Sequence, residues 1–291
     1  MSLIAHLATG HTLIARAWAL TRRDGMVLGF TDHDRDLTFG GMTFHAGAGL
    51  TARALEQVTG LAVDNSEAVG ALRDAGLTEG DIMAGRYDGA DLQIWEVNWA
   101  DVTQRRLIFR GSLGEITRAG GAFRAELRGL SEPLNQPGGR VYHAACSAML
   151  GDARCRFDLD TPGYSAEVPL LAAPAPQRLR VAPVADIAAG WLAHGRLVVH
   201  SGAAEGLVGL IREDRAVDGA RELTLWASLR APLAPGDMLR LEAGCDRQAA
   251  TCRQKFDNML NFQGFPHIPG EDWLTTYPKA GQPNQGGQRR G

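Results

Sequence analysis

Apolar and polar residues alternate with a period of two over residues 12–46. Leu13, Ala15, Ala17 and Ala19 share one face, while Thr12, Arg16 and Thr21 fall among the polar positions. Arg23-Asp24-Gly25 reads as a turn, Asp32–Asp36 as a second and Gly40-Gly41 as a hairpin turn. Strands are therefore predicted over Met26–Thr31, Leu37–Phe39 and Met42–His45, joined as a β-meander. Thr51–Val58 reads as a helix, Leu61–Asp64 and Ala90–Asn98 as strands, and Thr78–Ala84 as a short helix. Arg105–Ile116 and Ala122–Leu127 pair as a hairpin across Ala119-Gly120-Gly121. Residues 1–131 thus read as one mainly β domain.

Val141–Leu150 has a helical pattern stopped by Gly151, and the prolines of Pro162–Pro176 mark a boundary or linker. Leu179–Val181, Arg196–His200, Leu207–Arg212, Arg221–Ala227 and Met238–Leu241 then follow at nearly regular spacing. That spacing predicts a small all-β barrel or sandwich of about eighty residues. The layout is a mainly β fold in parts: an N-terminal β domain (1–131), a small inserted β domain (161–243), and a cysteine-containing region with short helices (132–160 and 244–275). The tail, 276–291, lacks an apolar pattern and is expected to be flexible.

Composition narrows the function. The 36 glycines suit many short strands joined by turns, and a formal net charge of −3 argues against a chain whose main task is gripping nucleic acid. No run approaches the ~18 apolar residues of a membrane span. Met1–Arg22 has no basic leader, and His6, His11 and Arg16 interrupt its apolar residues. Assembly in the cytoplasm is expected. There disulfides are disfavoured, and cysteines in patterned spacing are more often metal-binding or catalytic.

The four cysteines fall as two short pairs, Cys146-x8-Cys155 and Cys245-x6-Cys252, far apart in the chain. Structural zinc normally uses tighter knuckles, whereas iron–sulfur ligation tolerates looser spacing. Arg154 and Arg156 flank Cys155, Arg247 follows Cys245, and Arg253 and Lys255 follow Cys252. Cations beside thiolates favour the ionised form and offset an anionic cluster. Spacing and charge favour a metal centre over four plain buried thiols, with iron–sulfur slightly ahead of zinc. His143 is a substitute ligand to consider, and Phe262–Gly270 is a compact aromatic and proline loop suited to covering such a centre.

Other patterns carry less. Gly47-x-Gly49-x-x-Ala52 imitates a dinucleotide fingerprint but follows a hairpin strand, with no βαβ units after it. Asp32, Asp34 and Asp36 suggest calcium, yet Leu37 and Thr43 stand where an EF-hand loop needs glycine and glutamate. A cysteine-dependent cell-wall hydrolase built on Cys146, an iron–sulfur redox enzyme and a free-standing carbohydrate-binding module are the alternatives to a structural role. No convincing acid–base constellation supports the enzymes, so no catalytic residue is named.

The run from Cys245 to Trp273, CDRQAATCRQKFDNMLNFQGFPHIPGEDW, resembles the C-terminal signature of tailed-phage tail-tip or baseplate hub proteins, and most nearly the hubs of gene transfer agents. The two separated cysteine pairs also resemble those of the long-tailed phage tail-tip protein that carries a [4Fe–4S] cluster. The resemblance implies ligation of that cluster by Cys146, Cys155, Cys245 and Cys252, with zinc kept as the alternative from spacing and charge. It further implies a homotrimer whose tube-like N-terminal domain sits below a distal tail ring, with the central fibre or receptor-binding protein beneath. DNA would pass through the lumen without specific contacts. The segment between the pairs, 161–243, is longer than that pattern has.

Overall fold

The computed structural model describes residues 3–10, 12–46, 50–52, 65–70, 78–119, 122–130 and 139–268. The chain forms two compact units, Met1–Gly138 and Gly139–Gly291.

In the first unit a short helix α1 (Leu3–Leu7) precedes strands β1 (Ile14–Thr21), β2 (Val27–Thr31), β3 (Leu37–Phe39), β4 (Met42–Ala46), β5 (Leu50–Ala52) and β6 (Asn65–Gly70). Helix α2 (Glu79–Met83) and strands β7 (Asp91–Asn98), β8 (Arg105–Ala119) and β9 (Ala122–Gly129) follow. Thr78 caps α2 by accepting the Asp81 N–H on its hydroxyl, which satisfies one of the orphan donors of the first turn. The strands form one nine-stranded sheet in the order β3-β4-β2-β1-β7-β8-β9-β6-β5.

The predicted meander is corrected here. β4 pairs with β2 in parallel, Phe30 opposite His45, and the β3–β4 hairpin extends the sheet outward. The hairpin carries its own apolar face: Phe39 and Phe44 stack at 4.2 Å and cluster with Ala15, Ala17, Ala19 and Val97. Small alanines on β1 leave room for those rings. On its other face β1 sends Trp18 and Leu20 into a separate core with Phe30, Tyr87, Ile94 and Leu127, so this strand is buried on both sides. Leu50–Ala52 is strand where a helix is predicted from Thr51; residues 53–58, the Leu61–Asp64 strand and the Gly47–Gly49 motif lie outside the described residues. The acidic turn is a self-satisfied loop: Asp32 accepts the Arg16 N–H, and Asp36 accepts from Ala46 N–H and His45.

In the second unit a closed barrel runs β10 (Ser165–Ala175), β11 (Arg178–Val181), β14 (Ala220–Leu225), β13 (Val208–Val217), β12 (Arg196–Val199), β15 (Met238–Glu242). β15 returns to β10 and closes it. Alternate residues point inward, as strand pleating requires: Leu170, Leu179, Val181, Leu197, Ile211, Leu223, Leu225, Leu239 and Leu241 fill the interior. Each fully buried leucine contributes roughly 1.5–3 kcal/mol. The proline-rich segment read as a linker is strand β10. Pro169 stands opposite Met238 at the end of the β15 pairing, and Pro174 falls where the register with β11 shifts between Ala172 and Ala175. A strand that bends through irregularities can leave a proline without a missing ladder bond.

Candidate metal centre

Two stretches of the second unit flank the barrel in sequence and meet in space. In the first, Val141–Leu150 is not a helix. Its backbone donors are taken by the other stretch: Cys146 N–H donates to Arg247 O at 2.8 Å and Ser147 N–H to Gln263 O at 3.4 Å. A donor committed to a distant carbonyl cannot close the i to i−4 bond of a helix. Asp152 then organises the turn that presents Cys155, accepting from the N–H groups of Met149, Arg154 and Cys155 at 2.9, 2.9 and 2.7 Å. The Cys155 and Met149 N–H groups hold the Asp152 carboxyl below its ordinary range, against a smaller opposing effect of burial.

The second stretch leaves the barrel at Glu242. Ala243 N–H donates to Tyr164 O and Gly244 N–H to Trp191 O. A Cβ on Gly244 would overlap the Ala193 carbonyl and the Gly195 backbone, so only glycine lets the chain pass there. Gly244→Ala is expected to lower stability by about 2–3 kcal/mol through forced backbone displacement; urea denaturation reads the loss, and an unchanged midpoint would contradict it. Helix α3 (Ala249–Phe256) then buries Cys252 and Phe256, one turn apart on the same face. Phe256 meets Phe157 edge-on at 5.0 Å.

All four cysteines are free and line one small cavity, together with Asn258, Asn261 and Phe262. Three sulfurs accept N–H donors: Cys146 from Gln263 N–H at 3.3 Å, Cys155 from Asn258 Nδ2 at 3.4 Å, and Cys245 from the Arg247 N–H. Burial pushes the Cys252 thiol up to about 11, with the charges of Cys245, Cys146 and Cys155 adding to it. Cys245 is raised first by burial and then by Asp246, Cys146 and Cys155, against the lowering pull of the Arg247 N–H. Four neighbouring thiolates oppose one another's ionisation, and a cation among them reverses that sign. The donor set is thus four thiols on one cavity with amide donors behind three of them. Among the described residues, no three His, Cys, Asp or Glu side chains are grouped to hold a single metal ion.

The other sequence-predicted features separate here. His143 is exposed and does not line the cavity. The aromatic loop does: Phe262 lines it, and Phe265 N–H donates to His143 O at 2.9 Å. Of the basic neighbours, Arg156, Arg247 and Arg253 are exposed, and Arg154 turns back to Ser147 O. Lys255 alone among them turns inward. Its Nζ donates to Trp191 O at 2.7 Å and Gly244 O at 2.8 Å and lies 4.8 Å from the centre of the Trp191 ring. Burial lowers its pKa, while the charges of Cys245, Asp246 and Asp214 oppose that. Asn258, Trp191 and Tyr164, whose hydroxyl donates to Lys255 O, were not singled out from sequence. Nothing in their local pattern marks them, because their partners lie far along the chain.

A closed barrel flanked in sequence by two cysteine stretches, and a separate unit built on a nine-stranded sheet, make this a mainly β protein. Residues 1–158 match the family model described as baseplate hub protein, N-terminal attachment domain, and residues 190–272 match that of phage conserved hypothetical protein BR0599. No curated protein matches. A chain in a solved structure titled "Virion of native gene transfer agent (GTA) particle" is similar at 55% identity, covering 99% of each chain with a TM-score of 0.92. The chain belongs to the baseplate hub protein family, a structural, non-enzymatic component of a phage-like particle. Among the described residues no helix is long and apolar enough to cross a membrane.

Proposed function

We propose that the protein forms a trimeric hub at the tail tip of a gene-transfer-agent-like particle, joining the distal tail ring above to the central fibre or receptor-binding protein below. DNA passes through its lumen without specific binding. In this reading residues 1–131 form the ring-building domain. Residues 132–160 and 244–275 hold a [4Fe–4S] cluster through Cys146, Cys155, Cys245 and Cys252, and close the inserted domain 161–243 at both its ends. What carries the reading is the near-full-length likeness to a gene transfer agent virion chain.

The cysteine geometry supports the metal part. All four thiols line one small cavity, with amide donors on three of them. A polynuclear cluster asks four thiolates to surround a larger body. When bound, the cluster supplies a covalent tie between the two stretches, so that ligation and folding of this region are coupled. The amide donors on Cys146, Cys155 and Cys245 then face its negative charge.

Anaerobically purified protein is expected to be brown, to absorb at ~400 nm and to hold about four irons per chain. Colourless protein with one zinc per chain would replace the cluster with a single ion. Light scattering on the same sample is expected to give the mass of three chains; a monomer at all concentrations would remove the ring.

A further inference from the structure

Asn258 follows α3 and stands beside the cysteines without being one of them. Its backbone N–H donates to Cys252 O at 3.1 Å, and its carboxamide Nδ2 donates to Cys155 O at 2.7 Å. The orientation of the amide follows from chemistry. A carbonyl oxygen only accepts, so the atom facing Cys155 O is the NH2. Its Oδ1 is occupied in turn by Asn261 Nδ2 at 2.7 Å. With one amide proton on the Cys155 carbonyl, the second falls toward Cys155 Sγ at 3.4 Å. Among the described residues this is the one side-chain donor on a cysteine sulfur; Cys146 and Cys245 take theirs from backbone. Cys155 lies in a turn, and its own N–H is spent on Asp152.

We propose that Asn258 is a positioning residue for the four-cysteine centre: its carboxamide clamps Cys155 by carbonyl and sulfur together and aims the thiolate at the metal. This rests on the metal-centre reading above. An N–H on a ligand sulfur draws electron density from it, which stabilises the reduced, more negative state of a cluster and raises its potential. The clamp also spans the two stretches, because Asn258 lies 103 residues from Cys155 along the chain.

The test compares full-length, anaerobically purified wild type with Asn258→Leu, Asn258→Asp and Asn258→Gln. Leucine keeps the volume and removes the donor. Aspartate puts an acceptor against the thiolate, and glutamine keeps the carboxamide. Two quantities are read: the rate of metal release to excess EDTA, and the midpoint potential of the visible chromophore. Release is expected to quicken about 10–100-fold for leucine and more for aspartate, with glutamine nearer wild type. The potential is expected to fall in the order wild type, leucine, aspartate. Release rates and potentials within twofold and a few millivolts of wild type in both isosteres would overturn the role. So would equal acceleration in all three variants, which marks a packing role only. Wild type that carries no metal at all would instead remove the centre itself, and the inference with it.

Discussion

A Cys252→Ala chain is expected to purify without its metal and to melt about 10 °C or more below the parent. Cys252 is one of the two buried ligand candidates and shares the buried face of α3 with Phe256. The helix is only eight residues long, too short to be stable alone. Its hold on Cys146–Cys155 comes from the Phe256–Phe157 ring contact, from a few hydrogen bonds such as Cys146 N–H to Arg247 O and, in the proposed centre, from the ligated sulfurs. Removing one thiolate from four leaves three mutually repelling sulfurs and an open coordination position. The barrel should persist, because its interior leucines lie in a separate cluster. The expected signature is therefore a lost chromophore, a lowered first transition and near-native strand content by circular dichroism. Particles assembled with the variant should lack the hub. A variant that keeps full metal content and the parental melting temperature would exclude Cys252 from the centre.

The second large effect is expected inside the barrel. Asp214 and Arg221 form a buried ion pair, their side chains 0% and 4% exposed, with Nε–Oδ1 at 2.5 Å and Nη2–Oδ2 at 2.7 Å. Arg221 also donates to Ile187 O and Ala188 O, and Asp214 accepts the Leu192 N–H. Every strong donor and acceptor of the pair is thus used to fix the segment between β11 and β12. Asp214→Ala strands a guanidinium in an apolar interior and is expected to cost about 3–5 kcal/mol. A double replacement by leucine and methionine should cost far less, because no charge is left unpaired. Urea denaturation of the single and double variants gives the comparison, and a single variant within 1 kcal/mol of wild type would refute it. The same segment carries Trp191, whose carbonyl receives Gly244 N–H and Lys255 Nζ. Loosening it should therefore also quicken metal release at the cysteines.

The strands were legible where one face is buried and the other wet. β7, β11, β12 and β15 follow simple alternation, and their positions were read within a residue or so. Misreadings came where long-range pairing overrode local pattern. Pro162–Pro176 has the composition of a linker, yet the barrel needs a sixth strand; Pro169 sits at the end of the β15 pairing and Pro174 at an irregularity in the β11 pairing. Val141–Leu150 has helical spacing, yet its N–H groups are claimed by residues a hundred positions on. β4 pairs with β2 in parallel, and its hairpin with β3 shares an apolar face with the alanines of β1, which no local pattern shows.

From sequence alone came the mainly β character, the likeness to baseplate hubs and the two cysteine pairs, because periodicity and ligand type are properties of local chemistry. Tertiary structure decided that both pairs face one cavity. It turned Lys255 inward and left its arginine neighbours in solvent, and it made Asn258 a partner of Cys155. Those facts depend on which distant carbonyls and rings lie within a few ångströms. No stretch of sequence carries that information until closure of the barrel brings residues 139–160 against 244–268.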